Sequence, residues 1–538
     1  MIDLGSNSFR LVVFSAADGW WQRTDEIYQA VRIGEGMAAT GRLGEEPIER
    51  ALATLDVFGH FCQAAGLLDQ PAQSAAPAPP TALTLRASRT PSLTPPAPAG
   101  ELTPRAPEGS VDAVATSAIR DAENAPAFLA QARARTSLPI RVLSREEESR
   151  YGYLAAVNST TLTDGCVLDL GGGSLQLVRV RERLAREVGS WRVGAVRMTE
   201  HFLPNGGPAK PRQVQALREH VAQELASAPW LSKTGRRLVG IGGTVRSLAT
   251  VAQRAEGLPT NGVQGATVTR EALEEIVERL AALPTAERAS VPGVKPARAD
   301  LILAGAVVVE AAMQAGGFEQ LEVTEAGLRE GVFFERLLAG SEPPLFEDVR
   351  RASVENLAAR YGVDRAHTRH VAALALGMFD QLARMGLHTG DERERELLWA
   401  ACTLHDIGMS VAYDDHHKHS RYLILNAGLP GYSPTEVAIV AQAARYHRKG
   451  LPEPGPLAAL FGEGDAARLD RCAVLLRLAE DLERSRDQLV RDTVLSARNG
   501  TVQLQLLAEG GAAVPRWAAA RERELFARAF DRGLSVVA

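Results

Sequence analysis

The sequence is poor in residues that would commit it to several common chemistries. Only four cysteines occur in 538 residues: Cys62, Cys166, Cys402 and Cys472. They are far apart and make no Cys-x-x-Cys pair, which argues against a disulfide framework and against zinc ribbons. Positive charge is not in excess. The formal net charge is −5, so the chain lacks the polybasic signature of a nucleic-acid binder, and no sequence-specific nucleic-acid partner is expected. No apolar run of roughly 18 residues occurs, and no signal-peptide pattern precedes Asp3. The expectation is a soluble cytoplasmic protein with no membrane partner.

What is present is apolar material for more than one core. Hydrophobic residues make up 45% of the chain, and its length predicts about three or four domains. Residues 1–68 read as strand and turn pieces followed by a helix over EEPIERALATLDVFGHFCQAAGL. Ten prolines then fall between Pro71 and Pro107 among Ala, Ser and Thr. Such a composition cannot bury a core, so residues 69–110 are read as a disordered insertion, with a proline-rich docking segment as the alternative. VDAVATSAIRDAENAPAFLAQA, LPIRVLSREEESRYGYLAAVN, GCVLDLGGGSLQLVRV and RRLVGIGGTVRSLATVA then alternate short apolar strands with turns and helices. That alternation predicts an α/β architecture. Near Arg351 helical periodicity takes over, and eight of the eleven histidines fall at or after His367. The tail predicts a hairpin around Asn499-Gly500 and a closing helix.

Two stretches repeat one form. MIDLGSNSFR and VLDLGGGS each carry an apolar strand, an aspartate (Asp3, Asp169) and a glycine-rich turn ending in serine. Glycines let backbone N–H groups converge on an anion, and Ser6, Asn7, Ser8 and Ser174 add side-chain donors beside Gly171, Gly172 and Gly173. Aspartates at strand ends suit a hydrated Mg²⁺ bridging to phosphate. A third turn, with Gly242, Gly243 and Thr244, lacks an acid but leads into a helix, whose N-terminus favours a phosphate. LSREEESR offers Glu146, Glu147 and Glu148; Ser144 and Glu147 have capping-box spacing, and any of the three glutamates remains a candidate for activating water. Arg10 and Arg120 supply guanidinium forks suited to phosphoryl oxygens.

DLGSNSFR, VRIGEGM, ATSAIRDAEN, LSREEESR, LDLGGGSLQL, GIGGT and GLREG, in that order, resemble the exopolyphosphatase / guanosine-pentaphosphate phosphohydrolase (Ppx/GppA) family of the actin–Hsp70–sugar-kinase superfamily. The resemblance implies a two-lobed, ribonuclease H-like fold with lobes at 1–152 and 153–340 and the site between them. It implies that Glu148 activates water and that Asp3 and Asp169, with Glu148, hold Mg²⁺, Mn²⁺ being an alternative. Arg120 matches an arginine at the phosphate site, and Arg10 is placed less securely. The implied reaction is hydrolysis of the terminal phosphoanhydride of inorganic polyphosphate, or removal of the 5′ γ-phosphate of pppGpp. A kinase of the same superfamily and a non-hydrolysing sensor are the competitors; LSREEESR beside the cleft argues against the first, and intact Glu148 and Asp169 argue against the second. A polyanion also needs a basic track. Lys295, Arg298 and Arg329 are candidates, with ordinary solvated surface charge the simpler reading.

Residues 345–495 resemble the HD superfamily of helical metal-dependent phosphohydrolases, followed by a small α+β unit at 496–538. The resemblance implies a second metal held by His370, His405, Asp406, His419, His447 and Glu480, the last standing where the family has aspartate, with Asp481 next to it. Imidazole and carboxylate ligands suit Mg, Mn or Fe. The bland alternative is a structural module that extends the polyphosphate groove and a homodimer surface. Finally, only Met1 and Ile2 precede Asp3, fewer strand residues than precede Asp169. A start a few codons upstream, or a trimmed chain, is therefore expected.

Overall fold

The computed structural model describes residues 1–17, 19–68, 109–259, 262–508 and 510–537. The proline-rich insertion expected at 69–110 lies almost wholly outside them. The first sheet contains β1 (Ile2–Leu4), β2 (Phe9–Ala17), β3 (Trp20–Gln29), β4 (Ala113–Ala115) and β5 (Ile140–Val142), in the order β3-β2-β1-β4-β5. The second contains β6 (Gly165–Leu170), β7 (Leu175–Arg181), β8 (Leu184–Trp191), β9 (Leu238–Ile241), β10 (Ala266–Thr269) and β11 (Gln320–Val323). Its order, β10-β11-β9-β6-β7-β8, repeats the first sheet with one added edge strand. In both, an antiparallel meander of three strands is followed by two parallel ones.

The repeat extends to register. Asp3 on β1 pairs with Arg10, and Asp169 on β6 pairs with Gln176, an offset of seven residues in each case. Both strands are central, so their carboxyl ends deliver Asp3 and Asp169 to corresponding points of two similar sheets. The sequence explains the placement: Cys166, Val167, Leu168 and Leu170 are buried on both faces of β6, as a strand covered on both sides requires.

Helix Arg145–Val157 lies where the lobes meet. Ser144 caps it: its hydroxyl accepts from Glu147 N–H at 3.1 Å, and Glu147 Oε2 accepts from Ser144 N–H at 2.8 Å. Its apolar end joins Val114 and Leu143 of the first lobe to Val167, Val239 and Ile241 of the second in one buried cluster. Helix Leu328–Leu337 packs against it. Gly331 permits the approach, because a Cβ there would stand 1.9 Å from Tyr151 O.

From Val349 the chain is helical, with helices Val349–Arg360, Arg365–Arg384, Glu392–Leu404, His416–Ala427, Pro434–Arg445 and Asp465–Leu482. Aspartates start several of them: Asp348, Asp364 and Asp391 each accept from first-turn N–H groups. At the entry, Arg350 donates to Glu436 at 3.1 Å and to Glu396 at 2.7 Å and lies over the Tyr432 ring. The chain ends in a small sheet of β12 (Val490–Arg498), β13 (Thr501–Ala508) and β14 (Gly533–Val537). Asn499 and Gly500 make the β12–β13 turn with φ of 47° and 75°, both left-handed as a two-residue hairpin turn of this kind demands. One apolar cluster runs from Val354 to Leu534, so the helices and this sheet share a core. No described helix is long and apolar enough to cross a membrane.

Candidate active site

The carboxyl ends of β1 and β6 open into one cleft between the lobes. Its two turns are closed by the same hydrogen bond. Gly5 N–H donates to Ser8 O at 3.1 Å, and Gly171 N–H donates to Ser174 O at 3.0 Å. Ser6, Asn7, Ser8, Gly171 and Gly172 line the cleft; Gly173 and Ser174 complete the second turn. A helix beginning at Ala195 abuts that turn, and Gly194 is essential to the fit. A Cβ on it would meet Gly173 C and Ser174 N at 2.3 Å. The turns of the two lobes also touch: a Cβ on Gly173 would lie 3.3 Å from Ser6 Oγ and 2.6 Å from Ser117 Oγ, and those two hydroxyls are 3.1 Å apart within the first lobe. The third turn contributes Gly242, Gly243 and Thr244. Gly242 has φ of 103°, and a side chain there would also strike Leu170 O. The helix it starts, Gly243–Ala255, presents its N-terminus to the cleft.

Three carboxylates face this space: Asp3, Glu148 and Asp169. The capping box settles which glutamate of LSREEESR is available. Glu147 is engaged by Ser144 and Arg141, Glu146 is exposed, and Glu148 is buried against the cleft. Burial raises the Asp169 carboxyl to about 7, and the Glu148 and Asp3 charges add to the effect. Burial likewise raises Asp3 and Glu148, while Arg329 and Arg120 respectively pull them back down.

Arginines supply the opposite charge. Arg120 Nη1 donates to Glu148 Oε2 at 2.6 Å and to Leu143 O at 3.1 Å. Behind it Asp121 lies within 4.0 Å of Arg120, Arg145, Arg192 and Arg197. Arg10 lines the cleft but is shared with Glu26, at 2.8 Å, and the Tyr28 ring. Arg329 and Arg298 are not solvated surface charges, the simpler expectation. Arg329 is buried 3.6 Å from Asp3, and Arg298 lines the cleft beside Gly243. Lys295 is not among the residues that line it. Arg246 completes the group and was missed, although it lies three residues beyond Gly243 and so less than one helical turn away. It donates to Glu325 O at 2.8 Å, and burial with the nearby Arg329 lowers it to about 10.

The three carboxylates suit a hydrated Mg²⁺. Each is held toward its neutral form by burial, so a divalent cation between them would relieve that cost. Mg²⁺ binds through one or two carboxylates and keeps water and phosphate oxygens for its other positions. The trio is not a closed cage: among the described residues, the sets of three or more ligating atoms within 4.8 Å of one another lie in the helical region.

In that region His405, Asp406, His447 and Glu480 do come together. Two expected ligands do not join them. His370 Nε2 instead meets Val490 O at 2.8 Å and Glu483 at 3.6 Å, and His419 packs beside Gly408. Their places are taken by His367 and His416, each three residues earlier. Residues three apart share a helix face, so spacing alone could not choose between them.

Comparison with known proteins agrees with this architecture. Residues 101–339 match the model of the Ppx/GppA phosphatase family, and residues 349–511 match the model of Ppx/GppA phosphatase domain III. Among solved structures, an exopolyphosphatase from Cytophaga hutchinsonii is 17% identical over 62% of this chain and 96% of its own, with a TM-score of 0.51, and shares the fold. The Ppx/GppA family member of Aquifex aeolicus is 27% identical over 63% of this chain and 97% of its own, with a TM-score of 0.49.

Proposed function

Since the chain belongs to the Ppx/GppA phosphatase family, we propose that it is an exopolyphosphatase, releasing orthophosphate from the end of inorganic polyphosphate. The observation that carries this reading is the lining of the cleft. Arg10, Arg246, Arg298 and Arg329 line it with the two phosphate turns, and among the described residues no aromatic side chain lines it to stack a guanine. A substrate without base or sugar is recognised by charge and shape, and those are what this surface offers.

The turns bind the terminal phosphate, and Glu148 takes the proton of the attacking water. The new bond forms between water oxygen and terminal phosphorus as the bond to the bridging oxygen breaks. The electron pair stays on that oxygen, now the end of a chain one unit shorter. Arg120 holds Glu148 in place, and the remaining guanidinium groups receive the charge that moves to the leaving oxygen. Mg²⁺ bound by Asp3, Asp169 and Glu148 would neutralise phosphate oxygens.

Phosphate release from long polyphosphate, tripolyphosphate, pppGpp and ATP with Mg²⁺ tests the proposal. Long polyphosphate is expected to be the best substrate. A higher kcat/KM for pppGpp would replace this reading with the nucleotide one, and full activity of Glu148→Gln would remove Glu148 from its role.

A further inference from the structure

We infer that the junction between the second lobe and the helical region holds a binding site for a medium-length aliphatic carboxylate, with Arg421 receiving its head group. The inference is independent of what the cleft hydrolyses.

A cavity of about 470 Å³ lies at that junction, within the size range of small-molecule sites. The second lobe contributes Arg254, Gln264 and Glu325 to it. The helical side contributes helix His416–Ala427, helix Pro434–Arg445 and the turn Gly455–Leu460. The two sides are held together beside it. Gly431 N–H of the helical region donates to Ser159 O of the second lobe at 3.0 Å, and Gln264 Nε2 donates to the same carbonyl at 2.9 Å. The walls are aliphatic. Leu425, Leu429, Val437, Leu457 and Leu460 line the cavity, and Tyr422 is the one aromatic side chain among the described lining residues. An alkyl chain is stabilised against such walls by burial alone, whereas a flat base would find a single ring to stack on.

The charge in the lining is uneven. Arg254, Arg421 and Glu325 are its charged residues, two guanidinium groups against one carboxylate, a balance that one monoanion neutralises. Arg421 is held in place. Its Nε donates to Gln442 Oε1 at 2.7 Å, and Gln442 Nε2 donates to Glu453 O at 2.6 Å and to Pro454 O at 3.0 Å. Among the described residues neither Arg421 nor Arg254 has a carboxylate partner. Arg421 is half-buried, and burial with the like charge of Arg445 lowers its pKa from the ordinary value. A carboxylate head would supply the missing partner through charge-assisted hydrogen bonds. Glu325 is exposed and its Oε1 accepts from Val263 N–H at 3.0 Å, so it leaves Arg421 to the ligand.

The cavity is separate from the cleft although one helix reaches both. Helix Gly243–Ala255 carries Arg246 at the cleft and Arg254 at the cavity, eight residues apart (246 to 254) and so about 12 Å along its axis. An acid bound beside Arg421 therefore leaves the cleft arginines free.

Calorimetric titration of the full chain with hexanoate, octanoate and decanoate, below micelle formation, should show one saturable site per chain. Kd should fall about three- to fourfold per added methylene. Octanol carries the chain without the charge, and acetate the charge without the chain; each should bind at least about tenfold more weakly than octanoate. Arg421→Gln should raise the Kd for octanoate about ten- to hundredfold. Arg254→Gln, at an exposed position, should raise it about two- to fivefold. Arg298→Ala, in the cleft, should leave it unchanged. Absence of saturable octanoate binding would overturn the inference, as would octanol that binds as tightly, or AMP that displaces octanoate at a lower concentration than decanoate does. Unchanged affinity in both Arg254→Gln and folded Arg421→Gln would overturn it too; should Arg421→Gln not fold, Arg254→Gln alone decides. Loss of binding in Arg298→Ala would place the acid in the cleft and equally overturn it.

Discussion

The guanidinium of Arg120 stands 2.6 Å from the carboxylate of Glu148, and the same guanidinium is anchored to Leu143 O. The pair joins the helix at Ser117–Asp121 to the first turn of helix Arg145–Val157, so the candidate base is aimed by a residue from another element. Glu148→Gln keeps the shape and removes the proton acceptor; kcat should fall by about 10²–10⁴ with little change in melting temperature. Arg120→Ala should instead move the acid limb of the kcat/KM profile to higher pH. Burial already raises Glu148, and Arg120 is the main influence pulling it down. A pH–rate series on the two variants separates loss of the base from loss of its partner.

Gly194→Ala should damage catalysis from outside the cleft lining. The new Cβ would lie 2.3 Å from the backbone of Gly173 and Ser174, so the second phosphate turn must shift. Misplacement on the scale of an ångström costs about 10² in rate, and single-turnover phosphate release would show it. A rate within twofold of wild type would mean that the turn tolerates the shift.

Arg298→Ala should act on binding. A charge-assisted hydrogen bond contributes about 1.5–3 kcal/mol, so KM for long polyphosphate should rise roughly ten- to hundredfold while kcat is largely kept. Initial-rate kinetics at low and high salt would check it, since added salt should narrow the gap between wild type and variant.

Glu436 joins the entry of the helical region to its interior through Arg350 and Arg393. Despite burial, the Arg350 guanidinium holds its carboxyl below the ordinary value of 4.5. A folded-state value below the unfolded one means stability that is present above pH 4.5 and lost as pH falls through the folded value. Glu436→Gln removes one of the two carboxylates that Arg350 meets, leaving Glu396, and should cost about 1.5–3 kcal/mol near neutrality. In urea titrations the difference from wild type should shrink below pH 4.5.

Local patterns were legible and convergence was not. The paired aspartate turns announce themselves because strand, aspartate and glycine are contiguous, and the structure adds that their registers and closing hydrogen bonds match. Spacing alone left three adjacent glutamates; the capping box that occupies Glu147 and the exposure of Glu146 separate them from the buried Glu148. Arg246, Arg298 and Arg329 lie on three different segments, and only the fold brings them to one cleft. For the same reason His367 and His416 could not be told from His370 and His419. The tail hairpin was readable from Asn499-Gly500, whereas β14 pairs in parallel with β13 across two intervening helices, a non-local contact with no local signal.

The arginines gathered in the cleft, Arg10, Arg246, Arg298 and Arg329, have a kinetic meaning for the proposed reaction at a chain end. Each turnover of that reaction consumes one chain terminus, whatever the length behind it. Such an enzyme counts molecules, not monomers. At subsaturating substrate and equal phosphate mass, a preparation of half the chain length offers twice as many ends and should be consumed twice as fast until chains become too short to reach the arginines. The proposed end-specific reaction would thereby measure how many polymer strands a solution contains.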